Sequence, residues 1–575
     1  MNTKYKTRKA LLAVILLLTT IFTSSFTLLS VSAAEVNSSE ASQDVGKAYY
    51  DADYEYLDDE NSVFQSITLE EAIYLFQQKG NYLILLGGSW CGNTTAVIDY
   101  INEAAKVAGV ETIYNLDLRL DGTNSDTHIR ETNGKNDKGA TYNYLYGELV
   151  TKYLTNLNDW VEYTVDSKSA LTYTNADGVA VTVPKVQVPF LFLYNKDNTV
   201  DNSGKEDNGY HTTYPIVYGF EKMLNRDENG LYTASYGAKP EGGDNLIKNT
   251  YDSDTYVQEL NNAIFDHIGT GEGKVTLSSF TDADYIRLAY NERSGKTIFE
   301  ANEQINIRTL TYKQLEWLLG QEGNYLILLG GAWCGNTQAI IDIVNDYAVA
   351  NNVIVYNFDT KLDGGYAKKY WGYTGEVHIR DSKNVFANLY VDLVNEYFDN
   401  IETEYTIESG NYISYQTDPE DESTKVISNK LQVPYFLAYN KDIVDNDGHD
   451  TPILSYVEKM YVLDEASEDY IGSETNYADY TTATFNVIKA YAEKIGITAT
   501  NIVMSTSTDN DDASGGETNS NITDTDSNGE KQEDKGGNDT ITKIILAIVG
   551  VVVVAAVIFF SVVGKKKSSG GGKCC

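Results

Sequence analysis

Between residues 62 and 270 the apolar positions change period repeatedly, and each change marks an element. Residues 68–78 carry Leu69, Ile73 and Phe76 on one side, with Thr68 placed to cap and Glu71 at the capping-box position, so they predict a helix. Residues 82–86, YLILL, are an unbroken apolar run, which predicts a central strand covered on both faces. A Gly-Gly turn follows, and a second helix is expected to begin at Cys91 and carry Ala96, Val97, Tyr100 and Ile101. Residues 112–116 predict the next strand and 142–154 a strongly amphipathic helix. A strand at 190–194 is entered through Pro189, 216–220 give an edge strand, and 256–268 a closing helix. This alternation calls for an α/β fold, a central sheet with helices on its faces.

The pattern then occurs a second time. Residues 80–94 read GNYLILLGGSWCGNT and residues 323–337 read GNYLILLGGAWCGNT, differing only at Ser89 and Ala332. Downstream, Asp117 matches Asp359, and Leu120-Asp121-Gly122 matches Leu362-Asp363-Gly364. His128-Ile129-Arg130 matches His378-Ile379-Arg380. Gln187-Val188-Pro189 matches Gln432-Val433-Pro434, and Glu221-Lys222-Met223 matches Glu458-Lys459-Met460. A period this long marks duplicated domains rather than a solenoid. Their expected bounds are 62–270 and 304–497, with a linker or extra elements at 271–303.

The flanks set an expected location. Residues 1–34 combine basic residues, an apolar stretch and a small-residue site at Ala33 and Ala34, the pattern of a secretory signal peptide. Residues 544–563 hold no charge and are long enough to span a bilayer, and Lys565, Lys566 and Lys567 follow, which keeps residues 564–575 in the cytoplasm. Residues 35–61 and 498–543 are expected to be disordered and acidic. Within 505–540 Ile522 is the one large apolar side chain, so that segment reads as a flexible stalk. Its Asp524, Asp526 and Asn528 begin like a calcium loop, but Lys535 stands where the closing glutamate belongs. The expectation is a single-pass protein of a cell membrane, with its ectodomain outside, on a Gram-positive bacterial surface.

Composition narrows the partners. With 83 acidic and 44 basic residues the chain carries a net charge of -39, which repels phosphate backbones and sets nucleic acid aside. The 45 tyrosines against 17 phenylalanines suit large half-wet faces. No cofactor and no metal is expected. Asp117 and Asp121, with Asp359 and Asp363, read as turn residues rather than ligands, since neither copy adds a His or Cys at ligand spacing.

Cys91 and Cys334 are the only cysteines before Cys574 and Cys575, and each stands at the same Trp-Cys-Gly corner. The order of elements, that corner opening a helix, and Val-Pro before a later strand resemble the thioredoxin fold. The resemblance covers residues 62–270 and 304–497. It implies that Val188-Pro189 and Val433-Pro434 are cis and sit beside Cys91 and Cys334. Thr94 and Thr337 stand where thioredoxins have the second cysteine, Asn93 and Asn336 replace the usual proline, and Leu85 and Leu328 replace the buried acid. What remains is a monothiol. A thiolate at Cys91 or Cys334 attacks a disulfide and forms a mixed disulfide, with Thr94 or Thr337 placed to donate to it and no neighbour to resolve it.

A helix N-terminus at each cysteine would favour the thiolate. His128 and His378 are candidates to approach it, against an ordinary loop role; Trp90 and Trp333 are either lids or packing. Two function classes follow. One is monothiol exchange with, or capture of, exported proteins or peptides bearing thiols or disulfides. The other is binding without turnover along a groove formed by Trp90, Val188 and Pro189 and by Trp333, Val433 and Pro434, as in accessory proteins for bacteriocin export. A third arrangement pairs Cys91 with Cys334, if the two corners meet within about 7 Å.

Overall fold

The computed structural model describes residues 45–494 apart from short stretches, of which 124–126, 132–136, 162–169, 206–210, 227–231, 236–252, 459–461 and 464–469 are the longest. The expectations for 1–34, 498–543, 544–563 and 564–575 lie outside the described residues. Among the described residues no helix is long and apolar enough to cross a membrane.

The first repeat runs α1 (Val45–Asp53), β1 (Phe64–Ile67), α2 (Leu69–Phe76), β2 (Tyr82–Leu86), α3 (Gly92–Thr95), α4 (Ile98–Val107), β3 (Ile113–Leu116) and α5 (Asn143–Tyr153). A hairpin of β4 (Ala170–Thr174) and β5 (Ala180–Pro184) follows, then β6 (Phe190–Tyr194), β7 (Ile216–Phe220) and α6 (Ser253–Ala263). Its mixed sheet has the order β1-β3-β2-β6-β7. The first three strands are parallel, and β6 and β7 run antiparallel to their neighbours. All five residues of β2 are buried, as an apolar run at the centre of a covered sheet requires. Helix α2 starts on a capping box, with Thr68 accepting from the Glu71 amide at 3.2 Å and Glu71 accepting from the Thr68 amide at 2.7 Å.

The second repeat follows the same course through α7 (Asp282–Ser294), β8 (Ile307–Thr309), α8 (Tyr312–Leu319), β9 (Tyr325–Leu329), α9 (Gly335–Gln338), α10 (Ile341–Ala350), β10 (Val355–Phe358) and α11 (Ala387–Tyr397). The hairpin β11 (Tyr412–Gln416) and β12 (Lys425–Asn429), then β13 (Tyr435–Tyr439), β14 (Ile453–Val457) and α12 (Glu474–Lys494), complete it. Its sheet order is β8-β10-β9-β13-β14. Both repeats are thus mixed sheets flanked by helices.

Three expectations change. The helix expected from Cys91 onward is broken, because Val97 turns tightly, its amide bonding the Thr94 carbonyl at 3.1 Å, and α4 starts afresh at Ile98. The break carries Val97 and Ile98 both into the core. The closing helix expected at 256–268 starts at Ser253 and ends at Ala263, followed by a single 3-10 turn at Phe265–His267. Within residues 35–61, for which the composition predicts disorder, Val45–Asp53 is helical, and Tyr49, Tyr50, Tyr54 and Leu57 are buried. Tyrosine explains it: the Tyr50 and Tyr54 rings stack 5.5 Å apart while their hydroxyls reach Asn115 Oδ1 at 2.9 and 3.4 Å. An acidic segment can bury these rings because each keeps a polar partner.

The two repeats belong to one compact unit and share one apolar cluster. Each lends its leading helix to the other: α1 packs on β1 and on α8, and α7 packs on β8 and on α2. Tyr49 meets Trp317 edge-on at 6.2 Å, and Tyr144 stacks on Tyr373 at 4.0 Å. At the centre Arg293 of α7 pairs with Glu70 of α2, both side chains 3% exposed. Arg293 also donates to the Gly364 carbonyl at 2.9 Å, and the Tyr285 hydroxyl donates to Glu70 Oε2 at 2.9 Å. Gly364 has φ +59, and a Cβ there would lie 2.0 Å from Glu70 Oε2, so this turn of the second repeat is glycine for both backbone and space.

Candidate functional site

Each corner is built by the end of a buried strand, two glycines and a short helix. Cys91 is the N-cap of α3 and Cys334 the N-cap of α9, both in extended backbone. A Cβ at Gly87 would lie 2.9 Å from Thr94 Cγ2, and one at Gly330 2.9 Å from Thr337 Oγ1. A Cβ at Gly88 or Gly331 would lie 2.1 Å from Oδ2 of Asp117 or Asp359. The first glycine therefore makes room for the threonine and the second for the aspartate, which accounts for the doubled Gly-Gly.

The Val188-Pro189 and Val433-Pro434 bonds are cis. The thiol of Cys91 lies 3.5 Å from the Val188 carbonyl, and that of Cys334 3.5 Å from the Val433 carbonyl. Cys91 is half-buried, Cys334 is buried, and both are free. The Cys91–Cys334 pair considered from the sequence is therefore not formed; each thiol faces its own proline loop. Thr94 and Thr337 are fully buried, and their hydroxyls have no hydrogen-bond partner, the thiol included.

Trp90 and Trp333 are held on several sides. Trp90 Nε1 donates to Asp117 at 2.8 Å and Trp333 Nε1 to Asp359 at 2.7 Å. The Arg119 guanidinium lies 4.0 Å over the Trp90 ring, and the Lys361 ammonium 3.8 Å over that of Trp333. His128 and His378 meet the same indoles edge-on at 5.1 and 5.5 Å. Burial lowers the His128 imidazole to about 4 and the His378 imidazole to about 3. They pack neutral against tryptophan, so neither is a cation for the thiol. Burial raises the Asp117 carboxyl to about 7. It raises Asp359 to about 7 as well, with help from the charge of Glu70 in the other repeat.

The arginine of each His-Ile-Arg string is tied to the proline loop that its cysteine touches. Arg130 donates through Nη1 to the Val186 carbonyl, and Arg380 through Nη1 to the Leu431 carbonyl at 2.8 Å. The same loop is fixed from two more directions. The Tyr146 hydroxyl accepts from the Val186 amide at 2.9 Å, and Glu221 accepts from the Gln187 amide at 2.6 Å. Tyr390 and Glu458 repeat this on Leu431 and Gln432, at 2.9 and 2.5 Å. The signal was in the sequence: His-Ile-Arg and Glu-Lys-Met occur in both repeats at matching places.

Asp121 and Asp363 are buried turn acceptors. Asp121 takes the Thr123 amide at 3.3 Å, and Asp363 takes the Gly365 and Val377 amides at 3.1 and 3.0 Å. Asp445, Asp447 and His449 lie close enough to share a cation, but all three are exposed, and Asp445 already accepts from the amides of the other two at 2.8 and 2.9 Å.

No family model matches the chain, and no curated protein matches it. Among solved structures it is similar to the crystal structure of ERdj5 form II, at 7% identity and a TM-score of 0.16, over 74% of this chain and 29% of that one. The chain thus spans less than a third of that protein's length.

Proposed function

We propose that the chain is a membrane-anchored, extracytoplasmic pair of thioredoxin-like domains in which each monothiol corner captures exported proteins or peptides as mixed disulfides. One observation carries this reading: in both repeats a free cysteine caps a helix with its sulfur against the carbonyl that precedes a cis-proline. An extended substrate segment lying along that loop brings its disulfide to the thiol. The Cys91 thiolate attacks one sulfur of the substrate disulfide, a new S–S bond forms, and the other substrate sulfur leaves as thiolate. Thr94 and Thr337 occupy the place of a resolving thiol and carry none, so the adduct waits for an outside thiol. The sequence at 544–563 supports a bilayer anchor.

Replacing Cys91 and Cys334 with serine is expected to leave folding intact and to abolish disulfide-linked adducts on non-reducing gels. Thr94→Cys is expected to add a resolving partner and raise the rate of insulin reduction at least tenfold. An unchanged rate in a folded T94C chain would remove exchange from the reading. A second reading, binding without turnover, is favoured by the burial of Cys334, whose side is less open than that of Cys91. Capture of peptides that survives in the double serine variant would select it.

A further inference from the structure

We infer that Arg130 and Arg380 are positioning residues that hold a fixed positive charge beside the reacting sulfur of each corner. The inference rests on the thiol reading of the site and deepens it. The helix expected from Cys91 would have offered its N-terminal dipole to the thiolate, but the break after Thr95 leaves four residues in α3 and four in α9. A dipole summed over one turn is a weak substitute for a charge. His128 and His378 are neutral for the reason given above, and Arg119 and Lys361 lie over the indoles.

Arg130 and Arg380 stand differently. Each bonds the carbonyl two residues before the one its cysteine touches: Val186 against Val188, and Leu431 against Val433. Guanidinium and thiol are thus tied to one short loop. In each repeat the arginine Nε is buried and makes no hydrogen bond. A buried guanidinium with an unused N–H is costly unless an anion completes it. The groups that face Arg130 are Tyr146, Cys91, Glu131 and Glu221, with Lys185 beside them, and those that face Arg380 are Tyr390, Cys334, Tyr405 and Glu458, with Lys430. Glu221 and Glu458 are engaged by the loop amides of Gln187 and Gln432, and Glu131 by His128 Nδ1 at 3.3 Å, so the sulfur is the member of each set whose charge appears during the reaction. The duplication makes the case twice: the same arginine, loop, tyrosine, glutamate and cysteine recur with the same bonds.

The test uses the full chain and compares its two corners by peptide mass after timed alkylation with iodoacetamide between pH 5 and 9. Arg130→Gln keeps an N–H for the Val186 carbonyl and removes the charge; Arg130→Lys keeps the charge. In R130Q the alkylation of Cys91 at pH 7 is expected to fall about tenfold, with its pH profile displaced upward by about one unit, a tenfold change being one unit. R130K is expected to stay within threefold of the parent. Cys334 in the same samples should not change, and R380Q should reverse the pattern. Equal loss in R130Q and R130K, or an unchanged Cys91 profile in R130Q, overturns the inference and leaves the arginine a loop brace. Should R130Q and R380Q fail to fold, the parent chain decides: thiols that alkylate at pH 7 no faster than a free cysteine peptide overturn it too. The readout needs no disulfide substrate. A charge effect without insulin turnover would therefore fault the exchange reading and spare this one.

Discussion

Replacing Arg293 with alanine is expected to lower the stability of the folded unit by about 3–5 kcal/mol, the usual loss when one partner of a buried ion pair is removed. Arg293 and Glu70 are each 3% exposed and join α7 of one repeat to α2 of the other. Without the guanidinium, Glu70 keeps a bond from Tyr285 but remains a charge in an apolar interface, and the Gly364 carbonyl loses its donor. Glu70 must then take up a proton or water must enter, and burial already favours its neutral form. Urea unfolding followed by circular dichroism measures the loss. The double variant Glu70→Leu with Arg293→Met should recover part of it, because it removes the stranded charge and leaves only the Tyr285 hydroxyl and the Gly364 carbonyl unpaired. A loss below about 1 kcal/mol, or two separate unfolding transitions in the parent chain, would mean that the repeats fold apart and that this pair is incidental.

That pair illustrates what the sequence could carry and what it could not. Periodicity and the repeat located β2, β6 and β7 to the residue, because unbroken apolar runs bounded by Gly and Pro have few readings. It did not reveal β1, whose FQSI is too short for alternation to register and becomes a strand by pairing with β3. It also missed α1, where acidic composition outweighed three buried tyrosines, two of which satisfy their hydroxyls on the distant Asn115 and the third on Asp53. At the site, Cys91, Cys334 and the two prolines were legible as motifs. Asp117 was read as a turn, and Arg130 as a loop residue, because their partners, Trp90 and the Val186 carbonyl, lie 27 and 56 residues away. The duplicated His-Ile-Arg string was the one local clue, and it pointed first to the histidine. Contacts between repeats, such as Glu70 to Arg293 across 223 residues, leave no local pattern at all.

Raising the pH from 6.5 to 8.5 is expected to destabilise the folded chain by at least about 1.6 kcal/mol, the sum for two buried aspartates. Asp117 and Asp359 sit at about 7 in the fold, against 3.8 when unfolded, because burial disfavours their charge. The folded state therefore binds these protons more tightly, and the stability this brings is greatest at low pH and disappears as pH rises through 7. Between 6.5 and 8.5 each carboxyl gives up about 0.8 kcal/mol by that linkage. Glu71 is raised by burial and by the charge of Asp282, and it adds in the same direction. The histidines do not oppose the trend in this window. His128 and His378 are lowered in the fold, so their contribution is lost only as pH falls below 6.5. Below that point the two effects run against each other, and the profile should flatten toward pH 5. Urea midpoints measured across the range give the curve. The variant Asp117→Asn with Asp359→Asn keeps an oxygen for each tryptophan N–H and should remove the aspartates' share, about 1.6 kcal/mol between 6.5 and 8.5, and leave that of Glu71. If stability instead holds level or rises to pH 8.5 in the parent chain, the two carboxyls are already ionised beneath the tryptophans, and their partners Arg119 and Lys361 outweigh the burial.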